Sequence, residues 1–241
     1  MENSIYIGLS RQMALQTNMD IIANNVANAN TTGFRAQNLL FEEYISDPRG
    51  ADDELSFVID RGQYQNTAPG SIKMTGNQLD VALEGPGFLG VQAPGGQIAY
   101  TRDGHFEMRA DGTLVTAAGY PVASGGGGSI TIPQGSTEIN IDQRGFISNQ
   151  DGIIGQLSVS EFPDLQQLKP LGNNLYQADA PAQAATNTNV YQGHLEGSNV
   201  QAVVEVTRMI DTLRAFQSTQ QVLQSESERL NTMIERLTRT N

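Results

Sequence analysis

The chain has 241 residues, 26 acidic against 14 basic side chains and a formal net charge of −12, with Gly at 25 and Asn plus Gln together at 40. This balance excludes a non-specific nucleic-acid binder, which needs a basic surface to release phosphate counterions. The absence of Cys and the presence of only 2 His exclude a disulfide framework, a thiolate nucleophile and any zinc site of ordinary spacing.

Residues 3–30 read as a helix. Ile5, Leu15, Met19, Ile22 and Val26 fall on heptad-related positions, with Gly8 and Gln12 between them, and Tyr6, Leu9 and Met13 form an adjacent stripe. The glutamate at position 2 and the lack of a basic and then apolar run speak against a cleaved secretion signal. The pattern breaks in Asn28-Ala29-Asn30-Thr31-Thr32-Gly33-Phe34, where Asn and Gly favour a helix end. Residues 36–74 are mixed: an apolar run from Leu39 to Ile45, a solvated acidic loop from Asp47 to Glu54, and strand character over Leu55–Ile59.

From 75 to 180 the chain reads as short strands between tight turns. The candidates are Leu79–Leu83, Phe88–Gln92, Ile98–Thr101, His105–Arg109, Leu114–Thr116, Ser129–Ile132, Glu138–Ile141 and Gly155–Ser160, separated by Asp-Gly and Gly-Gly pairs and a tetraglycine at 125–128. Such punctuation predicts an antiparallel β domain without crossover helices. Residues 181–198 read as a polar linker. From Ser198, a candidate N-cap, Val206, Leu213, Gln220, Ser227 and Ile234 step by seven, and Met209, Phe216, Leu223, Leu230 and Leu237 follow each by three. A helix of about 40 residues runs roughly 60 Å. It needs an equally long partner, and the other long amphipathic helix is at the opposite end of the chain. The expected fold is therefore mainly β with long terminal α-helices that pair as a coiled coil in an assembly. No stretch approaches the roughly 18 apolar residues of a membrane span, so direct membrane insertion is not expected.

Few residues look chemical. Gly85-Pro86-Gly87-Phe88-Leu89-Gly90 has the glycine spacing of a dinucleotide loop, but Val91-Gln92-Ala93-Pro94 cannot open the helix such a loop requires. Asn140 to Asp151 partly matches a calcium loop, with Arg144 at a ligand position and strands as flanks. Arg102, Asp103, Glu107 and Asp111 are expected to meet as surface pairs across a hairpin. His105 and His194 have no nucleophile frame near them. The reading is of a non-enzyme with no catalytic residue, no cofactor and no metal. A secreted enzyme would instead bring His105, Glu107 and Asp111 together in a pocket. A phage tail-tube protein would share the β-rich, polymeric character, and a partner-binding module would be complete as a monomer.

Three ordered blocks carry a family resemblance. They are Ala23-Asn24-Asn25-Val26-Ala27-Asn28-Ala29-Asn30-Thr31-Thr32-Gly33-Phe34-Arg35, the middle runs Thr75–Leu83, Gly87-Phe88, Ala99–Gly104 and Gly119-Tyr120, and Leu195-Glu196-Gly197-Ser198-Asn199-Val200 continuing to Gln220. Together they resemble the bacterial flagellar rod and hook proteins. The length and the start Met1-Glu2-Asn3-Ser4-Ile5-Tyr6 fit a rod subunit better than the larger hook protein. Departures are mild: Phe88-Leu89 in place of a paired aromatic, Val206-Thr207 in place of a Met-bearing step, and the tetraglycine.

The resemblance implies terminal helices lining a hollow tube with β domains outside. It also implies unfolded export by the flagellar type III apparatus, and periplasmic assembly with itself and with proximal and distal rod subunits of the axial family. Under it, Leu9, Met13, Met19, Ile22 and Val26 are inner-layer contacts of the first helix, and Asn25, Asn28, Thr31, Gly33 and Phe34 form the turn that ends it. Val206, Met209, Leu213, Phe216, Leu223, Leu230 and Leu237 pack the last helix. The implied division is 1–35, 36–74, 75–180, 181–198 and 199–241. Charge follows the same map: residues 36–198 carry 19 acidic and 7 basic side chains, the whole of the excess, while both ends are neutral.

Overall fold

The computed structural model of the chain describes residues 2–46, 55–136 and 138–239; the acidic loop read at 47–54 lies outside them. The chain divides into two compact units, one made of Met1–Ala27, Gln37–Tyr64 and Gln201–Asn241, the other of Asn28–Ala36 and Gln65–Val200. This is a different division from the linear one that sequence suggested, because the chain leaves the second unit only at its two ends and for the segment 37–64.

The first unit holds helix α1 (Glu2–Ala27), strands β1 (Gln37–Ser46) and β2 (Leu55–Gln65) paired as a two-stranded sheet, and helix α2 (Ala202–Arg239). α1 stops at Ala27, where its apolar pattern breaks and three residues short of the range 3–30 read as helix. The Asn28 side chain and carbonyl accept from the Thr31 hydroxyl and amide at 3.1 Å each, and Gly33 takes φ +65°, a backbone shape that glycine adopts without strain. α2 opens at Ala202 rather than at Ser198. The Ser198 hydroxyl accepts from Val200 N at 3.2 Å in a turn, and Asn199 is committed elsewhere, so neither caps a helix.

The second unit is antiparallel throughout. In chain order its strands are β3 (Ile72–Met74), β4 (Val81–Glu84), β5 (Phe88–Gln92), β6 (Ile98–Thr101), β7 (Phe106–Met108), β8 (Leu114–Thr116), β9 (Asn140–Ile141), β10 (Phe146–Asn149), β11 (Gly152–Gln156), β12 (Val159–Glu161), β13 (Leu168–Gly172), β14 (Leu175–Ala178), β15 (Gln183–Ala184), β16 (Asn189–Gln192) and β17 (His194–Glu196). A six-stranded sheet in the order β13-β14-β6-β5-β12-β15 is accompanied by β11-β10-β9 and by the pairs β16-β4, β17-β3 and β7-β8. The unit's apolar core has one cluster of Val81, Leu83, Leu89, Phe106, Leu114, Ile147 and Leu157 and a second of Phe88, Phe162, Leu168 and Tyr176 with edge-to-face rings.

Three sequence expectations change here. Ser129–Ile132, read as a strand, makes only isolated bridges, Ser129 to Ala123 and Thr131 to Thr113. The segment 181–198 is not a linker: it carries β15, β16 and β17, and Val190 inserts into the core opposite Leu83. One inward Val among amides gives no visible alternation. The single strand expected over Gly155–Ser160 is two, β11 and β12, parted at Leu157, whose buried side chain turns the chain from one sheet to the other.

Candidate assembly interface

α1 and α2 run antiparallel. Gly8 lies against Leu223, where a Cβ would fall 2.6 Å from Leu223 Cδ2. Asn18 Nδ2 donates to Thr212 Oγ1 at 3.4 Å, and Asn25 Nδ2 donates to Glu205 Oε2 at 3.2 Å. The residues of α2 buried in this seam are Glu205, Thr212 and Thr219, with Met209, Phe216, Leu223 and Leu230 half-buried beside them. α1 contributes Ala14, Ile21, Ile22 and Asn25. Asn25 is the hub. Its side chain accepts from Gln37 N at 2.9 Å and donates to Gln37 O at 2.8 Å, holding the start of β1 like a neighbouring strand. The second oxygen of Glu205 accepts from Arg208 at 2.8 Å, so both its carboxylate oxygens are engaged. A recess of about 340 Å³ beside them is lined by Ile21, Leu39, Tyr64 and these polar groups.

The consequence for the expected heptad seam is a shift of one position. Of the two seven-step series, the Met209 series lies in the seam, but Val206 and Leu213 point away and are 43% and 44% exposed. Gln220, Ser227 and Ile234 of the same series are exposed too. Val203 and Ile210 extend the Val206–Leu213 stripe along the first three turns of α2. On α1, Leu9 and Met13 are 48% and 64% exposed together with Tyr6, whereas Ile22 is buried and Met19 and Val26 are half-buried. The Leu237 side chain lies outside the described ones. The helical unit thus buries polar residues among the apolar ones of its seam and leaves further aliphatic stripes facing out, more apolar surface than a free-standing helix pair needs to expose. Stripes of this kind are the mark of an interaction surface.

In the β unit, the chain just after α1 and the chain just before α2 are laid side by side. Gly33 N donates to Glu196 O at 2.8 Å, Asn199 N to Phe34 O at 3.2 Å, and Ala36 N to Asn199 Oδ1 at 2.7 Å. Asn199 Nδ2 donates to the carbonyls of Asn66 and Ala68 at 2.9 and 2.8 Å. Thr32 donates its hydroxyl to Asp103 Oδ1 at 2.6 Å, so the turn residues expected only to end a helix also fasten this crossing.

Beneath it sits a buried charge cluster. Glu196 Oε2 accepts from Arg102 Nε at 2.7 Å and lies 2.6 Å from Arg102 Nη2, while Glu196 Oε1 accepts from Gly70 N at 2.9 Å and lies 3.9 Å from Arg35 Nη2. Arg102 also donates to the carbonyls of Leu83, Gly85 and Gly87, and Arg35 to that of Thr67; both guanidiniums lie over the Phe88 ring. Burial pushes the pKa of each arginine down, with Glu196 opposing, and arginine stays protonated all the same. Arg102 is therefore not the surface hairpin residue that its neighbours Asp103 and Glu107 suggested: its side chain is wholly buried. Nothing in local sequence marks a pair 94 positions apart.

The remaining chemical-looking residues take structural places. Gly85 and Gly87 form the β4–β5 turn, their carbonyls facing Arg102. Asp142 accepts from the amides of Arg144 and Phe146, and Asn149 from those of Asp151 and Gly152, so the calcium-like stretch is two Asx-type turns. His105 Nδ1 meets Asp80 at 2.8 Å, while Asp111 accepts from Thr113 N on another turn. Among the described residues no group of three His, Cys, Asp or Glu side chains is placed to hold a metal, and no helix is long and apolar enough to cross a membrane.

Comparison with known proteins covers the same three regions. Residues 5–35 match the family described as flagella basal body rod protein, residues 82–149 the flagellar hook protein FlgE/F/G D1 domain, and residues 191–236 the flagellar basal body rod FlgEFG protein C-terminal. The flagellar basal-body rod protein FlgF of Caulobacter vibrioides is 39% identical over the full length of both chains. The chain belongs to the flagellar basal-body rod protein family. The FlgF of Mesorhizobium japonicum is 33% identical over 97% of this chain and 98% of its own, and the FlgG of Buchnera aphidicola from Acyrthosiphon pisum 35% over 89% and 92%. Full-length identity of 39% to a FlgF leans the chain to that side of the family. The three matched segments supply one member each of the buried cluster: Arg35, Arg102 and Glu196.

Proposed function

We propose that this chain is a structural subunit of the flagellar rod that polymerises, through the outer faces of α1 and α2, with its own copies and with the proximal and distal axial proteins. The product is the hollow shaft that carries torque from motor to hook. The observation that carries the reading is the outward aliphatic stripe on two helices of little net charge: Leu9 and Met13 on α1, and Val206, Ile210 and Leu213 on α2. Met19, Val26, Met209, Phe216, Leu223 and Leu230, half-buried in one chain, become fully covered when neighbours close over them. A helical polymer needs such surfaces to meet different surfaces on the next copy, so that the contact does not close on itself. Helices of little net charge also stack many deep without the repulsion that the acidic middle of the chain would bring.

The role is mechanical rather than catalytic, and the relatives are themselves rod proteins by name. Delivery in this reading is by the flagellar type III apparatus without signal cleavage, and the finished subunit stands in the periplasmic rod. The test is Leu213→Asp in the organism that carries the chain. A charge forced into an apolar contact is strongly disfavoured, so the variant should be exported but fail to build rods, and cells should not swim. Intact basal bodies and normal swimming would overturn the assignment. Electron microscopy of basal bodies lacking the chain should show the rod lost beyond its proximal segment.

A further inference from the structure

The Arg35–Glu196–Arg102 cluster has a property that its role as a fastening does not require. Both arginines are buried, yet among the described residues a single carboxylate touches them, and it arrives from residue 196 of the chain. Arg35 Nε is buried with no partner at all, so the cluster holds positive charge with nothing to spare. A buried arginine that loses its carboxylate is an uncompensated charge, a far worse state than a solvated one. Around it there is no slack. A Cβ on Gly33 would fall 2.4 Å from the Arg102 carbonyl carbon, and one on Gly70 would fall 1.8 Å from Gly197 O. Four backbone segments thus approach in two pairs, 33 with 102 and 70 with 197, too closely for a side chain at either glycine.

We propose that this cluster is a closure lock: the β unit cannot consolidate until residues 196–199 are seated, so folding of the unit waits for the C-terminal part of the chain. Arg102 links the cluster directly to the core, because the carbonyls it holds belong to β4 and the β4–β5 turn, which carry Leu83 and Phe88. Until Glu196 arrives, Arg102 gains more in water than under these strands, and β4 and β5 stay unpinned. The contacts that close the lock span 94 to 165 positions, so loop-closure entropy places them late. A partly delivered or truncated chain would leave the two segments that lead to α1 and α2 unfastened, and the helices would be offered only by a complete chain. The inference does not depend on the rod assignment.

Pulse-labelled hydrogen exchange during refolding of the full-length chain tests it. The amides of Gly33, Gly197 and Asn199 report the lock, and those of Gly90, Val122 and Leu157 report the core. The two sets should gain protection in the same kinetic phase. Glu196→Gln keeps the shape and removes the charge, and should slow that phase at least tenfold. Arg102→Gln added to Glu196→Gln removes the charge that demands the carboxylate, and should recover most of the lost rate. Core amides protected in a phase before Gly197, or a double variant no faster than Glu196→Gln, would overturn the proposal. If Glu196→Gln does not fold at all, the order of protection in the unmodified chain still decides.

Discussion

The two units solve burial in opposite ways. The β unit builds an apolar core and buries two arginines and a glutamate beside it, grouped around one another; the apolar side chains it leaves open, such as Met74 and Ile153, are scattered on separate strands and turns. The helical unit hides Asn25, Glu205, Thr212 and Thr219 in its seam and turns Val206, Leu213, Leu9 and Met13 outward. A region that builds its own apolar core within one chain is finished when folded. A region that specifies its register with polar contacts and leaves its apolar faces bare is built to be finished by neighbours. Buried polar groups of this sort fix alignment at some cost in stability, which suits helices that must present one defined face.

The sharpest way to break this contrast is to remove a core residue and ask which unit feels it. Leu157→Ala leaves a cavity where β11 gives way to β12, and truncations of this type cost about 2–5 kcal/mol. Urea unfolding followed by near-ultraviolet signals from the β-unit tyrosines should show the loss. An undisturbed midpoint would mean that the core is not what holds the unit. Asn25→Ala is next. It removes the partner of Gln37 N and O and of one Glu205 oxygen, and each buried group left unpaired costs about 1–3 kcal/mol. The Gln37 amide should lose its hydrogen-exchange protection while Leu157 N keeps its own. Equal loss at both amides would show that the two units unfold as one.

What could be read from sequence follows the same division. β5, β6 and β8 stand at the limits that their flanking glycine turns predicted, because a strand bounded by Asp-Gly or Gly-Gly on a half-buried sheet advertises both ends. β16 and β17 were invisible, since Val190 is the lone core residue in an amide-rich run. The β13–β14 hairpin was missed as well; Asn173 and Asn174 turn it with φ of 50° and 60°, and Asn-Asn is a weaker turn signal than Asn-Gly. The Arg102–Glu196 pair left no local trace, since pairing across the chain has no periodicity. The heptad of α2 was legible in period but not in phase. Periodicity selects the most apolar series as the buried one, and here Val206 and Leu213 lie outside while Glu205 and Thr212 lie inside with Asn25 and Asn18 as partners. A single sequence cannot separate burial within a chain from burial between chains.

The same phase shift yields a prediction of deliberately small size. Leu213→Ser together with Val206→Ser removes two side chains already open to water, and surface substitutions of this kind stay within about 0.5 kcal/mol. The free chain should keep its urea midpoint, while rod formation is lost. A free-chain midpoint that falls by as much as that of Leu157→Ala would put these residues in an intramolecular core and erase the contrast between the units.

The smallest effect expected is one of pH, and it tests whether the β unit tolerates charge only where it is paired. Burial raises the Asp103 carboxyl above the ordinary carboxylate range, against the opposing hydrogen bonds from the Thr32 hydroxyl and His105 N. The folded chain then binds this proton more tightly than the unfolded chain does. Stability from this group is full at low pH, falls as pH rises from the ordinary Asp pKa through the raised one, and is flat above it. Asp103→Asn keeps the Oδ1 atom that accepts both hydrogen bonds and removes the charge, so it should abolish that decline and leave the neutral-pH midpoint unchanged or higher. Glu161 acts in the opposite sense. Burial raises its carboxyl, but hydrogen bonds from Thr188, Asn187 and Thr186 overcome that and lower it, so its contribution is lost on acidification. Glu161 is present in both chains, and the difference between their urea midpoints across about pH 3.5–7 isolates Asp103. A variant less stable than its parent at neutral pH would mean that the Asp103 charge is used, by His105 or by the crossing above it, and that the β unit also keeps a useful buried charge outside its arginine cluster.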